Sequence, residues 1–250
     1  QAAELLSSRG RPVLLDVRWL LGGPPGHDAY LAGHLPGAVF VDLEAELASP
    51  GAPTDGRHPL PDVADLQESA RRWGVNDGDA VVAYDDNGGL AAARAWWLLR
   101  WAGLSDVRLL DGGLSAWSAA GGELETEDVV PEPGDVTLRA GELPTIDIDG
   151  AASFQGVLLD ARAGERYRGE VEPIDPKAGH IPGAVSAPTT DNLGPDGRFR
   201  TPEVLRDRFE RLGVGDAVDG AAYCGSGVTA SYEIAALRIA GCDAALYPGS

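Results

Sequence analysis

The chain has 250 residues, is 44% hydrophobic and 24% charged, and carries a net charge of −19. That is the composition of a soluble globular protein, long enough for one large domain or two ordinary ones. The acidic excess excludes nucleic acid and anionic membrane surfaces as partners, since both need basic patches, and Arg94, Arg100 and glycines interrupt the longest apolar runs before any could span a bilayer.

In the first half, Val13-Leu14-Leu15-Asp16 reads as a strand, and residues 22–26 and 49–61 read as Gly- and Pro-rich loops. His58, in the second loop, is expected to face solvent. Residues 80–84 read as a second strand. Residues 91–101 read as a helix with an almost continuous apolar surface, expected to be buried, with Trp96, Trp97 and Trp101 in the core. A strand over 107–110 follows. Residues 121–145, rich in Glu, Pro and Gly, read as an extended linker. In the second half, 220–223 reads as a strand, 229–240 as a helix, and a short final strand follows Cys242. Alternation of this kind predicts an α/β fold, with parallel sheets covered by helices on both faces and active sites at the carboxyl ends of strands.

The chain repeats itself. Leu14-Leu15-Asp16-Val17-Arg18 returns as Leu158-Leu159-Asp160-Ala161-Arg162, and Gly33-His34-Leu35-Pro36-Gly37-Ala38 as Gly179-His180-Ile181-Pro182-Gly183-Ala184. Trp73-Gly74-Val75 is echoed by Leu212-Gly213-Val214, Ala83-Tyr84-Asp85 by Ala222-Tyr223-Cys224, and Asp111-Gly112-Gly113 by Pro248-Gly249-Ser250. The order is the same in both halves, which predicts a duplicated domain of roughly 120 residues. The expected boundaries are an N-terminal domain over 1–122, a linker over 123–145 and a C-terminal domain over 146–250. The first copy continues through Leu114-Ser115-Ala116-Trp117 and the second stops at Ser250, so the last element of the second domain is expected to be truncated here.

Cys224 opens the run Cys224-Gly225-Ser226-Gly227-Val228-Thr229-Ala230, between a predicted strand and a predicted helix. Successive backbone N–H groups and the positive end of a helix can converge on such a sulfur, which makes it a candidate nucleophile. In the first copy that place is taken by Asp85, in Asp85-Asp86-Asn87-Gly88-Gly89-Leu90, where a carboxylate is expected to plug the N–H cradle. Cys242 reads as a small buried hydrophobe. Two cysteines are too few for a disulfide framework and their spacing fits no zinc site, so no metal is expected and a reducing, cytoplasmic location is the simplest reading.

The Asp-x-Arg strand ends, the paired Gly-His-x-Pro-Gly-Ala turns, the Asp-Gly-Gly turn and a cysteine loop in the second half alone resemble the two-domain rhodanese and 3-mercaptopyruvate sulfurtransferase family, across essentially the whole chain. The resemblance implies tandem rhodanese-like domains and no cofactor. It implies that the loop cysteine carries sulfur as a persulfide, while the first domain is an inactive wall of the site. The implied partners are a small-molecule sulfur donor and an acceptor that is a thiol, such as a small dithiol protein, or cyanide. Thiosulfate-preferring members resemble Cys-Arg-Lys-Gly-Val-Thr, with two cations beside the sulfur. Mercaptopyruvate-preferring members resemble Cys-Gly-Ser-Gly-Val-Thr, the form found here from Cys224 to Thr229. A neutral loop does little to offset the desolvation of a dianion, so 3-mercaptopyruvate is the expected donor, with thiosulfate the alternative.

By the same resemblance, Ser226 protonates the departing enolate in a relay with His34 and Asp28. His180 occupies the same turn as His34 with no implied catalytic task, so turn packing is the competing reading of His34. Arg166, in Gly164-Glu165-Arg166-Tyr167, matches the family's first carboxylate arginine, and the loop residues Gly225, Gly227, Val228 and Thr229 are expected to hold the substrate. The family's second arginine is missing: Glu172-Pro173-Ile174-Asp175-Pro176-Lys177 offers only Lys177 as a substitute. Arg162 is expected to pair with Asp160, and Arg198 and Arg200 to be exposed loop cations.

Three rivals are weaker. Gly225-x-Gly227-x-x-Ala230 satisfies a dinucleotide fingerprint, but a single short strand follows it, leaving no second half to hold a dinucleotide. A cysteine-dependent phosphatase needs an arginine where this chain has Ala230, and without that clamp phosphoryl chemistry loses its main stabilisation. A non-catalytic regulatory module fits the first domain alone, since the second has an intact nucleophile loop.

Overall fold

The computed structural model describes residues 10–51, 55–175 and 177–249. Residues 52–54 of the second predicted loop, Pro176 in the stretch without an arginine, and Ser250 of the last echoed motif lie outside the described residues. The chain divides into two compact units, Gln1–Ser49 with Leu60–Leu143, and Pro50–Pro59 with Pro144–Ser250.

In the first unit β1 (Val13–Asp16), β2 (Val39–Phe40), β3 (Val81–Tyr84) and β4 (Val107–Leu109) form a parallel sheet in the order β2-β1-β3-β4. All four residues of β3 are buried, as expected of a strand covered on both faces, where hydrophobic runs replace alternation. Among the described residues, α1 (Gly26–Ala32), α2 (Leu43–Glu46), α3 (Val63–Arg72) and α4 (Leu90–Trp101) lie between the strands, and α5 (Gly113–Ala119) follows β4. In α3 the buried Leu66, Ser69 and Ala70 share one face, and the Asp62 side chain caps the start by accepting the Ala64 N–H at 2.8 Å. In α4 every residue from 91 to 99 is buried, Arg94 included, and its Nε donates to the Leu47 carbonyl at 3.2 Å. Trp97 stacks on Trp101 in the same helix, with ring centroids 5.9 Å apart.

The second unit repeats this plan. Its strands β5 (Val157–Asp160), β6 (Val185–Ser186), β7 (Gly220–Tyr223) and β8 (Ala244–Leu246) form a parallel sheet in the order β6-β5-β7-β8. Its helices are α6 (Ile148–Ala152), α7 (Gly164–Tyr167), α8 (Pro202–Arg211) and α9 (Val228–Ile239), with a 3-10 turn at Thr189–Asn192. Leu15 pairs with Val39 and Ala83 in the first sheet, and Leu159 pairs with Val185 and Ala222 in the second.

The repeated motifs have a shared physical cause. In each unit the arginine of the Asp-x-Arg strand end donates to the carbonyl just before the motif histidine, Arg18 to Gly33 and Arg162 to Gly179, both at 2.6 Å. The tyrosine ending the neighbouring strand accepts the N–H just after that histidine, Tyr84 from Leu35 at 2.9 Å and Tyr223 from Ile181 at 3.0 Å. The motifs therefore clasp one another across the carboxyl ends of the strands.

Two loop readings change. The stretch predicted as a linker contains no helix or strand before residue 145, but it lies along the first unit: Gly134 N–H donates to the Arg71 carbonyl at 2.8 Å and Arg139 N–H to that of Ala102 at 2.9 Å. His58, expected to face solvent, is buried at 6% exposure. Its segment groups with the second unit instead of extending from the first. Arg198 and Arg200 are exposed, as expected.

Candidate active site

The site begins where β7 ends. Tyr223 donates its hydroxyl hydrogen to Asp160 Oδ2 at 2.6 Å, which fixes the point at which the chain turns. Cys224 comes next, then Gly225 and Ser226, and Gly227 caps α9 in a left-handed conformation with φ +72°. A side chain at Gly227 would strain that turn. The turn aims the Ser226 N–H at the sulfur, with N to Sγ at 3.4 Å. Cys224 is 3% exposed, yet it lines a cleft of about 660 Å³ together with Arg57, Arg162, Asp175, Lys177 and His180.

Asp85 displays the same turn holding a carboxyl group, whose pKa burial pushes up while the surrounding N–H groups pull it down. Its Oδ1 accepts the N–H groups of Asn87 at 2.9 Å and Gly89 at 2.7 Å, and its Oδ2 accepts those of Ala91 and Ala92, each at 2.9 Å. The carboxylate is wholly buried and fills the cradle, as its sequence position predicts. Asn87 and Ser226 stand alike, two residues beyond the group they donate to. Cys224 thus stands where the first unit gathers four N–H donors around a carboxyl group.

The guanidinium groups near the cleft are paired with carboxylates. Arg162 forks onto Asp160, Nε to Oδ1 at 2.9 Å and Nη2 to Oδ2 at 2.6 Å, which is the structural pairing expected of it. Arg166, in α7, donates Nε and Nη2 to Glu172 at 3.2 and 2.7 Å, and Nη2 also to Asp175 Oδ2 at 2.8 Å. Arg57, from the segment that groups with this unit, pairs with Asp175 Oδ1. Burial pushes the Glu172 carboxyl up, but the N–H groups of Asp175 and Ile174 and the Arg166 guanidinium together pull it further down, to about 2. Lys177 is exposed in the cleft wall.

The second unit brings together Cys224, Gly225, Ser226, Gly227, Val228 and Thr229 in one turn. His34 and Asp28 belong to the first unit. Asp28 is exposed in α1. His34 is wholly buried, stacked on Tyr30 at 3.9 Å, with Nδ1 3.0 Å from the Tyr30 carbonyl, and its Nε2 has no partner among the described residues. His180 makes the matching stack on Tyr167 at 3.9 Å, with Nδ1 2.8 Å from the Tyr167 carbonyl. His180, however, is exposed and lines the Cys224 cleft. Sequence reasoning passed over Arg57, Asp175 and His180. The histidine repeat pointed at His180, but nothing local marks a contact between residues 118 apart, as Arg57 and Asp175 are. Cys242 is buried, and burial pushes its thiol up, which suits a core residue. Among the described residues no cluster of His, Cys, Asp and Glu could hold a metal ion, and no helix is long and apolar enough to cross a membrane.

The sequence profile of the rhodanese-like domain matches residues 1–120. A Mycobacterium tuberculosis protein named "Putative thiosulfate sulfurtransferase SseB" is 49% identical over 257 residues, covering 100% of this chain and 90% of its own length. The chain belongs to the rhodanese family. A "Probable 3-mercaptopyruvate sulfurtransferase" of Pseudomonas aeruginosa is 50% identical over 263 residues, covering 100% of this chain and 92% of that rhodanese relative. The crystal structure of SseA from Escherichia coli, which carries the rhodanese fold of 3-mercaptopyruvate sulfotransferases, aligns with a TM-score of 0.83 at 31% identity, covering 95% of this chain and 91% of the other. The protein is a sulfurtransferase, and its two parallel sheets with flanking helices are tandem rhodanese folds.

Proposed function

We propose that this rhodanese-family enzyme takes sulfane sulfur from 3-mercaptopyruvate, carries it as a persulfide on Cys224, and passes it to a thiol or to cyanide. The observation that carries the donor choice is the turn itself. Gly225, Ser226 and Gly227 put no cation beside the sulfur, the Ser226 N–H meets Sγ at 3.4 Å, and the nearby guanidinium groups grip a carboxylate. Such a site suits a monocarboxylate donor better than a small dianion.

The Cys224 thiolate attacks the donor's sulfur. An S–S bond forms, the donor's C3–S bond breaks, and its electron pair leaves as the enolate of pyruvate. The enolate then takes a proton at C3. Ser226, 6% exposed and two residues from the nucleophile, is our assignment for passing that proton. In this reading Gly225, Gly227, Val228 and Thr229 of the turn hold the donor as its sulfur meets Cys224, and Arg166 binds the donor's carboxylate. For passing the proton on, His34 with Asp28 is one candidate relay, supported by a His34 Nε2 that has no partner among the described residues. His180 is the other, supported by its place in the cleft wall. The outer sulfur of the persulfide finally moves to the acceptor, which restores the thiolate. The first unit, its cradle filled by Asp85, carries no sulfur in this reading. A cytoplasmic location suits it, because both cysteines are free thiols.

Thiosulfate is the second reading, favoured by the name of the mycobacterial relative. Initial rates with the two donors on one preparation separate them, and faster turnover of thiosulfate would reject the first. Mass spectrometry after donor treatment without acceptor should find one added sulfur on Cys224 and none in Cys224→Ser. Sulfur found elsewhere would reject the persulfide assignment.

A further inference from the structure

A single carboxylate bridges two guanidinium groups beside the nucleophile. Asp175 gives one oxygen to Arg57 and the other to Arg166, the latter at 2.8 Å. Arg57 also lies against the turn: a methyl group on Gly225 would overlap its Nη2 and would sit 3.4 Å from Asp175 Oδ2. The bridged carboxylate is therefore next to the residue that follows Cys224. Two guanidinium groups facing one site favour a planar anion with two oxygens. A donor with sulfur on C3 and a carboxylate at C1 must bring such an anion close to Cys224 whenever its sulfur meets Sγ.

We propose that Arg57 is the second cation of the donor's carboxylate site, acting with Arg166, and that Asp175 is a tethered competitor which the donor's carboxylate displaces. The proposal rests on 3-mercaptopyruvate being the donor, and it supplies the arginine that is missing before the Gly-His-Ile-Pro-Gly turn. The exchange replaces one carboxylate by another, so neither guanidinium is left buried without a partner. Only the Asp175 side chain has to move. Glu172 accepts the N–H groups of Ile174 and Asp175 at 3.2 and 3.0 Å and stays paired with Arg166, which anchors the backbone beneath. An internal competitor lowers the fraction of open sites and so weakens apparent donor affinity in proportion. It also keeps the cation pair from collecting other small carboxylates as readily as it would if bare.

The test compares two alkylating agents, 3-bromopyruvate and bromoacetone. Both form an Sγ–C bond as bromide leaves, and they differ in carrying a carboxylate or a methyl group beyond the ketone. The ratio of their rates at Cys224, read by peptide mass spectrometry, reports the carboxylate site without requiring turnover. Asp175→Asn should raise the ratio about tenfold and lower KM for 3-mercaptopyruvate, and Arg57→Gln should lower the ratio about tenfold, with Arg57→Lys between, as expected for gain or loss of one charge-assisted contact. Bromoacetone gives the reactivity of the sulfur itself in each variant, and labelling of the buried Cys242 marks any chain that has unfolded. If Arg57→Gln unfolds, Arg57→Lys carries the comparison. An unchanged ratio without Arg57, or a ratio that falls in Asp175→Asn, overturns the proposal. If the ratios move as expected while the wild type turns over thiosulfate and not 3-mercaptopyruvate, the carboxylate site stands and the donor reading fails.

Discussion

His34 and His180 occupy matching turns, stack on matching tyrosines and meet matching carbonyls, yet they differ in surroundings. To bond a carbonyl, each ring must carry its proton on Nδ1, leaving Nε2 as an acceptor in the neutral form. In His34 that Nε2 is buried with no partner among the described residues, while His180 presents its ring to the Cys224 cleft. A residue that moves the enolate's proton should affect kcat, whereas one that packs a turn should affect stability. We therefore expect the true relay histidine, replaced by Gln, to lose roughly 100-fold in kcat with KM little changed, the usual size of a general acid–base contribution. Its twin, replaced likewise, should lower the melting temperature and spare kcat. Steady-state kinetics with thermal unfolding of both variants would separate them, and equal kcat for both variants and the wild type would remove histidine from the relay. Sequence pattern identified both residues as a pair. It could not tell them apart, because burial depends on what the rest of the chain lays over each turn.

At the scale of elements, the short piece after α7 is held by Glu172, which is 5% exposed and bonded to Arg166 and two N–H groups. Its folded pKa of about 2 lies below the ordinary 4.5, so the folded form binds fewer protons than the unfolded chain between those values. The stability it contributes is full above pH 4.5 and is lost as pH falls toward 2. Denaturant unfolding of the wild type and Glu172→Gln should thus show a gap that is constant near neutrality and closes across that acid window. A gap independent of pH would show that Glu172 is not held as an anion. The longer elements were legible beforehand: the helix predicted over 91–101 forms as Leu90–Trp101, and that over 229–240 as Val228–Ile239. Each is buried nearly all round, and a long apolar run gives its sequence a strong signal. The four-residue helices α2 and α7 are too short to show a period, and the clamp that Arg166 and Glu172 build after α7 left no pattern to read.

For the molecule as a whole, duplication was written plainly in the order of the repeated motifs, and the two sheets have the same strand order because of it. The exchange of a segment was not. Residues 50–59 lie in the first half of the chain and fold with the second unit, bringing Arg57 to Asp175. Contacts between residues 118 apart leave no periodicity in either stretch. A fragment beginning at Pro144 would contain Cys224, Arg166 and Asp175 but not Arg57. If it folds, its preference for 3-bromopyruvate over bromoacetone should fall about tenfold, to that of Arg57→Gln. A fragment with the full wild-type preference would show that the loop is dispensable.

The loan of residues 50–59 bears on why a chain would keep a half whose cradle is stopped by a carboxylate. Had the second unit been self-sufficient, a deletion removing the first would cost nothing but its own redundant chemistry. If Arg57 serves the donor as proposed, such a deletion would also take an arginine from the site of the second unit. On that proposal the second copy depends on ten residues encoded within the first, so the two could diverge in sequence without becoming separable.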